Sequence, residues 1–545
     1  MNSKSIQDND LKFYNELKSY AFSAFKKKQI EKSLRYIYYA ASYSWLVHIG
    51  IWCDDDLENL LTEIGNYCQS KKSQIPKAKK IEGEDQKIAY MASILRDVGG
   101  HNILLKHWVS ILSEKFSQQE LYITKIDKNP LHYPFLKKGL KDNKVNIYEL
   151  PEKSSFLKKI FRLIEIIEQN KPDTLIIFTH PNDVTIIPAL VALSRKPFTI
   201  FFNHADHVFW LGKKISDCII EQRIDGAKFS KKFRRVNVPQ YIVPLTTEIK
   251  PQKISKNKFG VPKNATLSVS VGGIMKVESP SEFGYYKTIE SILKKFPNHY
   301  HMFVTDYPPK TMPKELEKTS KDIKKRFIIN GPFANLEPIY GVGDFLIDTF
   351  PIGGGMVIVD AMACGLPIVA FRNIGFSIVS DGGGELPIDY PYLTTNYSEF
   401  VDYISQLIES SQLRKKAGEQ LFNYYQQKLS PKAIGKLLYN IIEGDTTNKL
   451  IFKGQDFEKA ELKYESELGQ RTFLIERKNF LILDLKHFGF TLKQRLKIFH
   501  GALRNKEFKS IKEIFLFGII AIFRKLVSFL YNFLISQKIY QSETY

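Results

Sequence analysis

Four short stretches carry residue types whose spacing suits chemistry. The first runs Asp348-Thr-Phe-Pro-Ile-Gly353-Gly354-Gly355-Met-Val-Ile-Val-Asp360-Ala-Met-Ala-Cys-Gly365-Leu-Pro367. An apolar strand ends at Phe350, three glycines follow and a helix begins. Backbone N–H groups at a helix N-terminus, with no Cβ in the way, bind a pyrophosphate. Asp360, about one and a half turns on, can accept from ribose hydroxyls. The same glycines also make an ordinary tight strand–helix turn. The second stretch, Gly272-Gly273-Ile-Met-Lys276-Val-Glu-Ser-Pro, puts an ammonium just after a strand end. There it can meet the charge growing on a leaving diphosphate, or stand as a plain surface lysine. The third, Arg96-Asp97-Val98-Gly99-Gly100-His101-Asn102, falls between a strand and a helix. His101 either caps that helix or touches substrate. The fourth, Phe202-Asn203-His204-Ala205-Asp206-His207, sets two imidazoles around a carboxylate at a strand's end. That suits acid–base work near neutral pH, with His204 or His207 as the base, and one histidine can equally be held structurally by Asp206. No third metal ligand lies nearby in sequence, so no metal site is expected.

The elements needed to hold these stretches read as α/β. Strand-like runs at 87–93, 121–126, 144–150, 174–179, 198–203 and 218–223 alternate with helical patterns at 103–116 and 155–170. After a Pro- and Lys-rich joint the pattern restarts, with strands at 265–273, 301–307, 326–332, 344–350 and 366–371 and helices over 283–296 and from 354. Such alternation predicts parallel sheets covered by helices on both faces. Two Rossmann-like domains in tandem, facing across a cleft, are expected at 87–250 and 255–440. Residues 1–80 read as helical and tetratricopeptide-like, too short for a solenoid of their own. Asp54-Asp55-Asp56 sits where an acidic N-cap opens a helix. Residues 71–86 read as a polar linker.

Charge is the outstanding feature of the composition: 79 Lys and Arg against 58 Asp and Glu, net +21. With 43% hydrophobic and 25% charged residues, the chain is globular rather than disordered or collagen-like. The four cysteines, Cys53, Cys68, Cys218 and Cys364, form no CxxC pair, which argues against a zinc ribbon or disulfide framework and fits a reducing cytosol. The opening MNSKSIQDNDLKF has no apolar leader. Residues 485–545 hold eleven basic and three acidic residues, a net +8. In this tail, part of a basic helical region over 446–545, Arg524-Lys525 divides two ten-residue apolar runs, 514–523 and 526–535. That break disfavours a spanning helix and suits an interfacial one on an anionic membrane. A buried helix packed on the body is the alternative. Nucleic acid is not expected as a partner, because such tails are seldom this rich in Phe, Ile and Leu.

Taken whole, the 348–367 string resembles the donor motif of GT-B glycosyltransferases, in which a small-residue turn, an acid and an Ala-Met-x-x-Gly-x-Pro element recur. In the large retaining GT-B family (family 4-like) two glutamates stand eight residues apart; the second falls at Asp360 and the first at Ile352, so one carboxylate is missing. The Asp at the later position is similar to the O-GlcNAc-transferase-like family, as is the 272–280 stretch, whose lysine that family uses on the leaving diphosphate. Residues 99–101 resemble the Gly-Gly loop that approaches donor phosphate and acceptor. The resemblance covers roughly 87–440. It implies transfer of a hexosyl or N-acetylhexosaminyl group from a nucleotide-sugar to a hydroxyl. Lys276 would lie on the diphosphate, Gly272, Gly273, Gly353, Gly354, Gly355 and Asp360 against the nucleotide, and Gly99, Gly100, His101, His204 and His207 near the acceptor. No cofactor or metal is implied. The expected setting is cytoplasmic, on the inner face of the plasma membrane, building surface polysaccharide on a glycan or lipid-linked acceptor. A protein O-glycosyltransferase, a non-catalytic membrane scaffold and a sugar-nucleotide epimerase are the rivals.

Overall fold

The structure is a computed structural model and describes residues 3–444, apart from 48, 73–85, 98–99, 127–132, 207, 279–282, 306–312, 332, 334, 373–383 and 388. Gly99, His207, most of the expected linker and the basic tail therefore lie outside the described residues. The chain divides into two compact units, one running to Val243 and resuming at Leu438, the other Pro244–Leu437.

In the first unit, α1 (Ser3–Lys26), α2 (Ile30–Val47) and α3 (Asp55–Lys71) precede β1 (Ile88–Ala92). There follow α4 (Gly100–Ser113), β2 (Gln119–Ile123), α5 (Pro134–Asp142), β3 (Asn146–Glu149), α6 (Phe156–Asn170) and β4 (Thr174–Phe178). The unit continues with α7 (Ile186–Val191), β5 (Phe198–Asn203), β6 (Cys218–Glu221), α8 (Ile224–Phe233) and β7 (Gln240–Ile242). The sheet is parallel with strand order β3-β2-β1-β4-β5-β6-β7. Every residue of β1, β2 and β4 is buried, which is why they read as unbroken apolar runs.

Helices α1–α3 share this unit's core. Tyr14, Leu34, Leu57, Leu61 and Ile64 join Ala89, Met91, Leu175, Ile177 and Phe201 in one apolar cluster. Those sheet residues alternate along their strands, so the helices cover a single face. Asp54 caps α3, accepting from the N–H groups of Asp56 and Leu57, and is itself held by the Tyr14 hydroxyl at 2.6 Å and by Lys18. The acidic triplet is thus a helix start. One turn on, buried Glu58 accepts the N–H groups of Gly212, Lys213 and Lys214 at 2.8, 3.0 and 2.8 Å. Burial pushes its carboxyl pKa up, against those three hydrogen bonds. Gly65 lets α3 lie on α7, since a Cβ there would fall 2.7 Å from Val191 Cβ.

In the second unit β8 (Thr266–Val271) leads through α9 (Met275–Glu278) and α10 (Tyr285–Lys295) to β9 (His299–Val304). Next come α11 (Lys321–Arg326), β10 (Phe327–Asn330), α12 (Glu337–Val342), β11 (Phe345–Ile347) and α13 (Met356–Ala363). The last elements are β12 (Ile368–Phe371), β13 (Leu393–Thr394), α14 (Tyr397–Glu409), α15 (Ser411–Tyr424) and α16 (Pro431–Glu443), which ends in the first unit. The sheet is again parallel, in the order β10-β9-β8-β11-β12-β13. Two Rossmann-like units in tandem are therefore present. The strand order reverses between β1 and β4 in one sheet and between β8 and β11 in the other. Open α/β sheets receive ligands at such reversals, beyond the strands' carboxyl ends.

Candidate functional site

In the second unit the two glycine-bearing stretches meet at the reversal. Gly272 follows β8, its N–H donating to Val304 O at 3.0 Å, while Asp348 follows β11. The Lys276 ammonium donates to the Gly353 carbonyl at 2.7 Å. The Gly354 N–H donates to buried Asp348 Oδ1 at 2.8 Å, and Ile352 N–H reaches the Lys276 carbonyl at 3.3 Å. A lysine, an aspartate and the glycine turn thus form one knot joining the ends of two adjacent strands. The close fit explains two glycines: a Cβ on Gly354 would stand 3.1 Å from Asp348 Oδ1, and one on Gly272 3.2 Å from Thr349 Cγ2.

This arrangement refines the expectation that all three glycines present free N–H groups. Gly353 offers its carbonyl to Lys276, Gly354 spends its N–H on Asp348, and Gly355 is the N-cap of α13 with no side-chain cap. In the first turn of α13 the Ile358 N–H is taken by the Gly355 carbonyl, which leaves those of Met356 and Val357 without an intrahelical acceptor. Burial pushes the Lys276 pKa down, opposed by the Asp348 charge. An ammonium carries three donors, and Gly353 O is its hydrogen-bond acceptor among the described residues. Gly273 turns the chain by accepting the Lys276 N–H. Asp360, 9% exposed on α13, stands beside Tyr340 of α12, whose phenol pKa is held up by burial and then by that carboxylate.

In the first unit the reversal gathers histidines. His101, in the first turn of α4, stacks on His204 after β5, with centroids 5.1 Å apart. It also meets His180, after β4, edge-on at 5.8 Å. Burial first, then the His204 and Arg96 charges, lower the His101 pKa to about 3, so its imidazole is neutral at pH 7. Its Nε2 is buried and has no hydrogen-bond partner among the described residues. Gly100 is the exposed first residue of α4. Asp206 is engaged by a guanidinium: Arg223 Nε and Nη2 reach its oxygens at 2.7 and 3.1 Å. Buried Arg234 donates to the carbonyls of Asp206 and Val208 at 2.6 and 2.7 Å, so two arginines shape the loop carrying His204.

Residues 285–410 match the family described as "Glycosyl transferases group 1". This stretch resembles a group 1 glycosyltransferase domain. The D-inositol 3-phosphate glycosyltransferase of Corynebacterium kroppenstedtii is 28% identical over 138 residues, which is 24% of this chain and 30% of that protein. The match thus spans under a third of the relative's length. Among solved structures, a glycosyltransferase from Rickettsia africae ESF-5 is similar over 66% of this chain and 99% of its own, at 13% identity and TM-score 0.48. Anabaena Alr3699/HepE, in complex with UDP-glucose, is similar over 66% and 99%, at 14% and 0.46.

The matched stretch contains Asp348, the glycine turn and Asp360, while Lys276 and Gly272 lie ahead of its start and reach the turn through β8. Three further residues stand out in the structure. Asp348 has a signal in the sequence, its place at the strand end before the glycines. His180 lies in a Thr-His-Pro-Asn-Asp setting after β4 that parallels that of His204 after β5. Buried Asp183 accepts from Ser93 Oγ and Thr124 Oγ1 at 2.6 Å each and so ties together the ends of β1, β2 and β4. Among the described residues no group of three or more His, Cys, Asp or Glu stands ready to hold a metal. No described helix is long and apolar enough to cross a membrane.

Proposed function

We propose that the chain transfers a glycosyl group from a nucleotide-sugar to an acceptor hydroxyl, with the donor diphosphate at the β8/β11 reversal. The observation that carries this reading is the Lys276 ammonium, held among the described residues by one carbonyl of the glycine turn, beside the first turn of α13. It leaves two donors for phosphate oxygens. Charge growing on the departing nucleoside diphosphate is met by this preset ammonium and by the helix N-terminus, with no metal in the scheme. Asp348 holds the turn, and Asp360 is assigned to the ribose. His204 serves as the acceptor's base if the reaction inverts configuration, and His101, neutral at pH 7, acts there as a hydrogen-bonding group. The finer setting we propose is surface-polysaccharide synthesis on a glycan or lipid-linked acceptor, with residues 485–545 on the anionic inner face of the plasma membrane.

Calorimetric titration of the full chain with UDP and GDP tests the donor site. Binding of one of them, weakened about tenfold or more by Lys276→Met, is expected. Equal binding by both proteins would overturn the assignment of Lys276.

A further inference from the structure

The half-buried rings of Trp45, His180, His101 and His204 form a continuous aromatic wall along the first unit's strand ends. Trp45, near the end of α2, meets His180 edge-on with centroids 5.6 Å apart. His180 meets His101 at 5.8 Å, and His101 stacks on His204 at 5.1 Å. Phe202, at the end of β5, backs the wall by stacking on His204 at 6.1 Å. Each ring arrives on a separate segment: α2, the turn after β4, the start of α4 and the turn after β5. A second observation also points to a ligand. The buried His101 Nε2 has no partner among the described residues, and buried polar atoms in native proteins ordinarily have one, from protein, water or ligand.

We propose that this wall is a sugar-binding subsite and that Trp45 makes the N-terminal helices part of acceptor recognition. The inference deepens the transferase reading and rests on it for the word acceptor. A pyranose has a face of C–H groups and a rim of hydroxyls. Its apolar face fits flat aromatic surface, whose π cloud attracts the slightly positive C–H groups. A rim hydroxyl supplies the missing partner of His101 Nε2, donating to it or accepting from it according to the imidazole's tautomer. Rigid rings hold such a ligand with little loss of side-chain freedom. An extended peptide would ask instead for backbone hydrogen-bonding groups along a groove. The preferred acceptor is therefore a glycan end, and a bare seryl or threonyl peptide is not.

Saturation-transfer NMR on the full chain tests this with methyl glycosides of glucose, galactose, mannose and N-acetylglucosamine and with a Ser/Thr-containing peptide. Wild type is expected to saturate at least one glycoside and not the peptide. Trp45→Ala should weaken that binding about tenfold or more, and Trp45→Phe should restore most of it. Binding of UDP and GDP, followed in the same samples, reads the second unit separately. Glycoside binding unchanged by Trp45→Ala, no glycoside binding by wild type, or preference for the peptide would each overturn the proposal. Trp45-dependent glycoside binding without any nucleotide binding would support the subsite and count against the donor reading alone.

Discussion

Asp348 and Lys276 divide the labour of the glycine turn between an anion that takes an N–H and a cation that takes a carbonyl. Removing the buried carboxylate in Asp348→Ala leaves the Gly354 N–H without its acceptor and should cost about 1–3 kcal/mol of stability, measured as a lower Tm. Asp348→Asn keeps an acceptor oxygen and should cost less; equal losses in the two would contradict this role for the charge-independent hydrogen bond. Two histidines give a pH signature. His101 and His301 have folded pKa values lowered to about 3, both chiefly by burial, whereas an unfolded histidine takes its proton near 6.5. Between those values the unfolded chain binds more protons, so both histidines favour the fold above pH 6.5 and progressively less as pH falls toward 3. Tm should begin to drop below about pH 6.5, and His301→Gln should make that slope shallower even though it breaks the ring's hydrogen bonds to Ser268 and Tyr285. A slope unchanged by the substitution would contradict it.

At the scale of elements, Glu58 on α3 gathers three loop N–H groups and fixes the turn that follows His204 and Asp206 in sequence. Glu58→Ala should destabilise the chain by about 3 kcal/mol or more, because the deserted N–H groups of Gly212 and Lys213 are buried. A change in Tm below a degree or two would show that water replaces the carboxylate freely. The long strands were legible in sequence because parallel strands buried on both faces are continuous apolar runs. Helices α5, α7 and α12 and strands β7 and β13 were not legible: β13 has two residues and β7 three, too short for any periodicity to show. The glycine turn was legible as a turn. Its knot was not, because the Lys276–Gly353 bond joins residues 77 positions apart and depends on β8 and β11 being neighbours. Trp45 was invisible as a site residue for the same reason, lying in a helical region with no motif around it.

For the whole molecule, the N-terminal helices are core and not appendage, because their apolar faces complete one side of the first sheet. Deleting residues 1–80 should therefore yield an aggregating or unfolded first unit; a soluble, cooperatively melting product would contradict that dependence. The net charge of +21 acquires two assignments. Part of it is Lys276, at the proposed donor site. The +8 in residues 485–545 belongs to the membrane proposal. Deletion of that tail should move the protein out of the membrane fraction while nucleoside diphosphate release continues, and retention in the membrane fraction would send the explanation elsewhere.

Turnover is the sharpest test of the proposed donor site at the β8/β11 reversal. The full chain, supplied with a panel of UDP-, GDP- and dTDP-sugars and methyl glycoside acceptors, is assayed for released nucleoside diphosphate alongside Lys276→Ala. Release from at least one donor by wild type, lowered about a hundredfold or more by the substitution with the Tm retained, is the expected result. Equal release by the two proteins would contradict a donor site there.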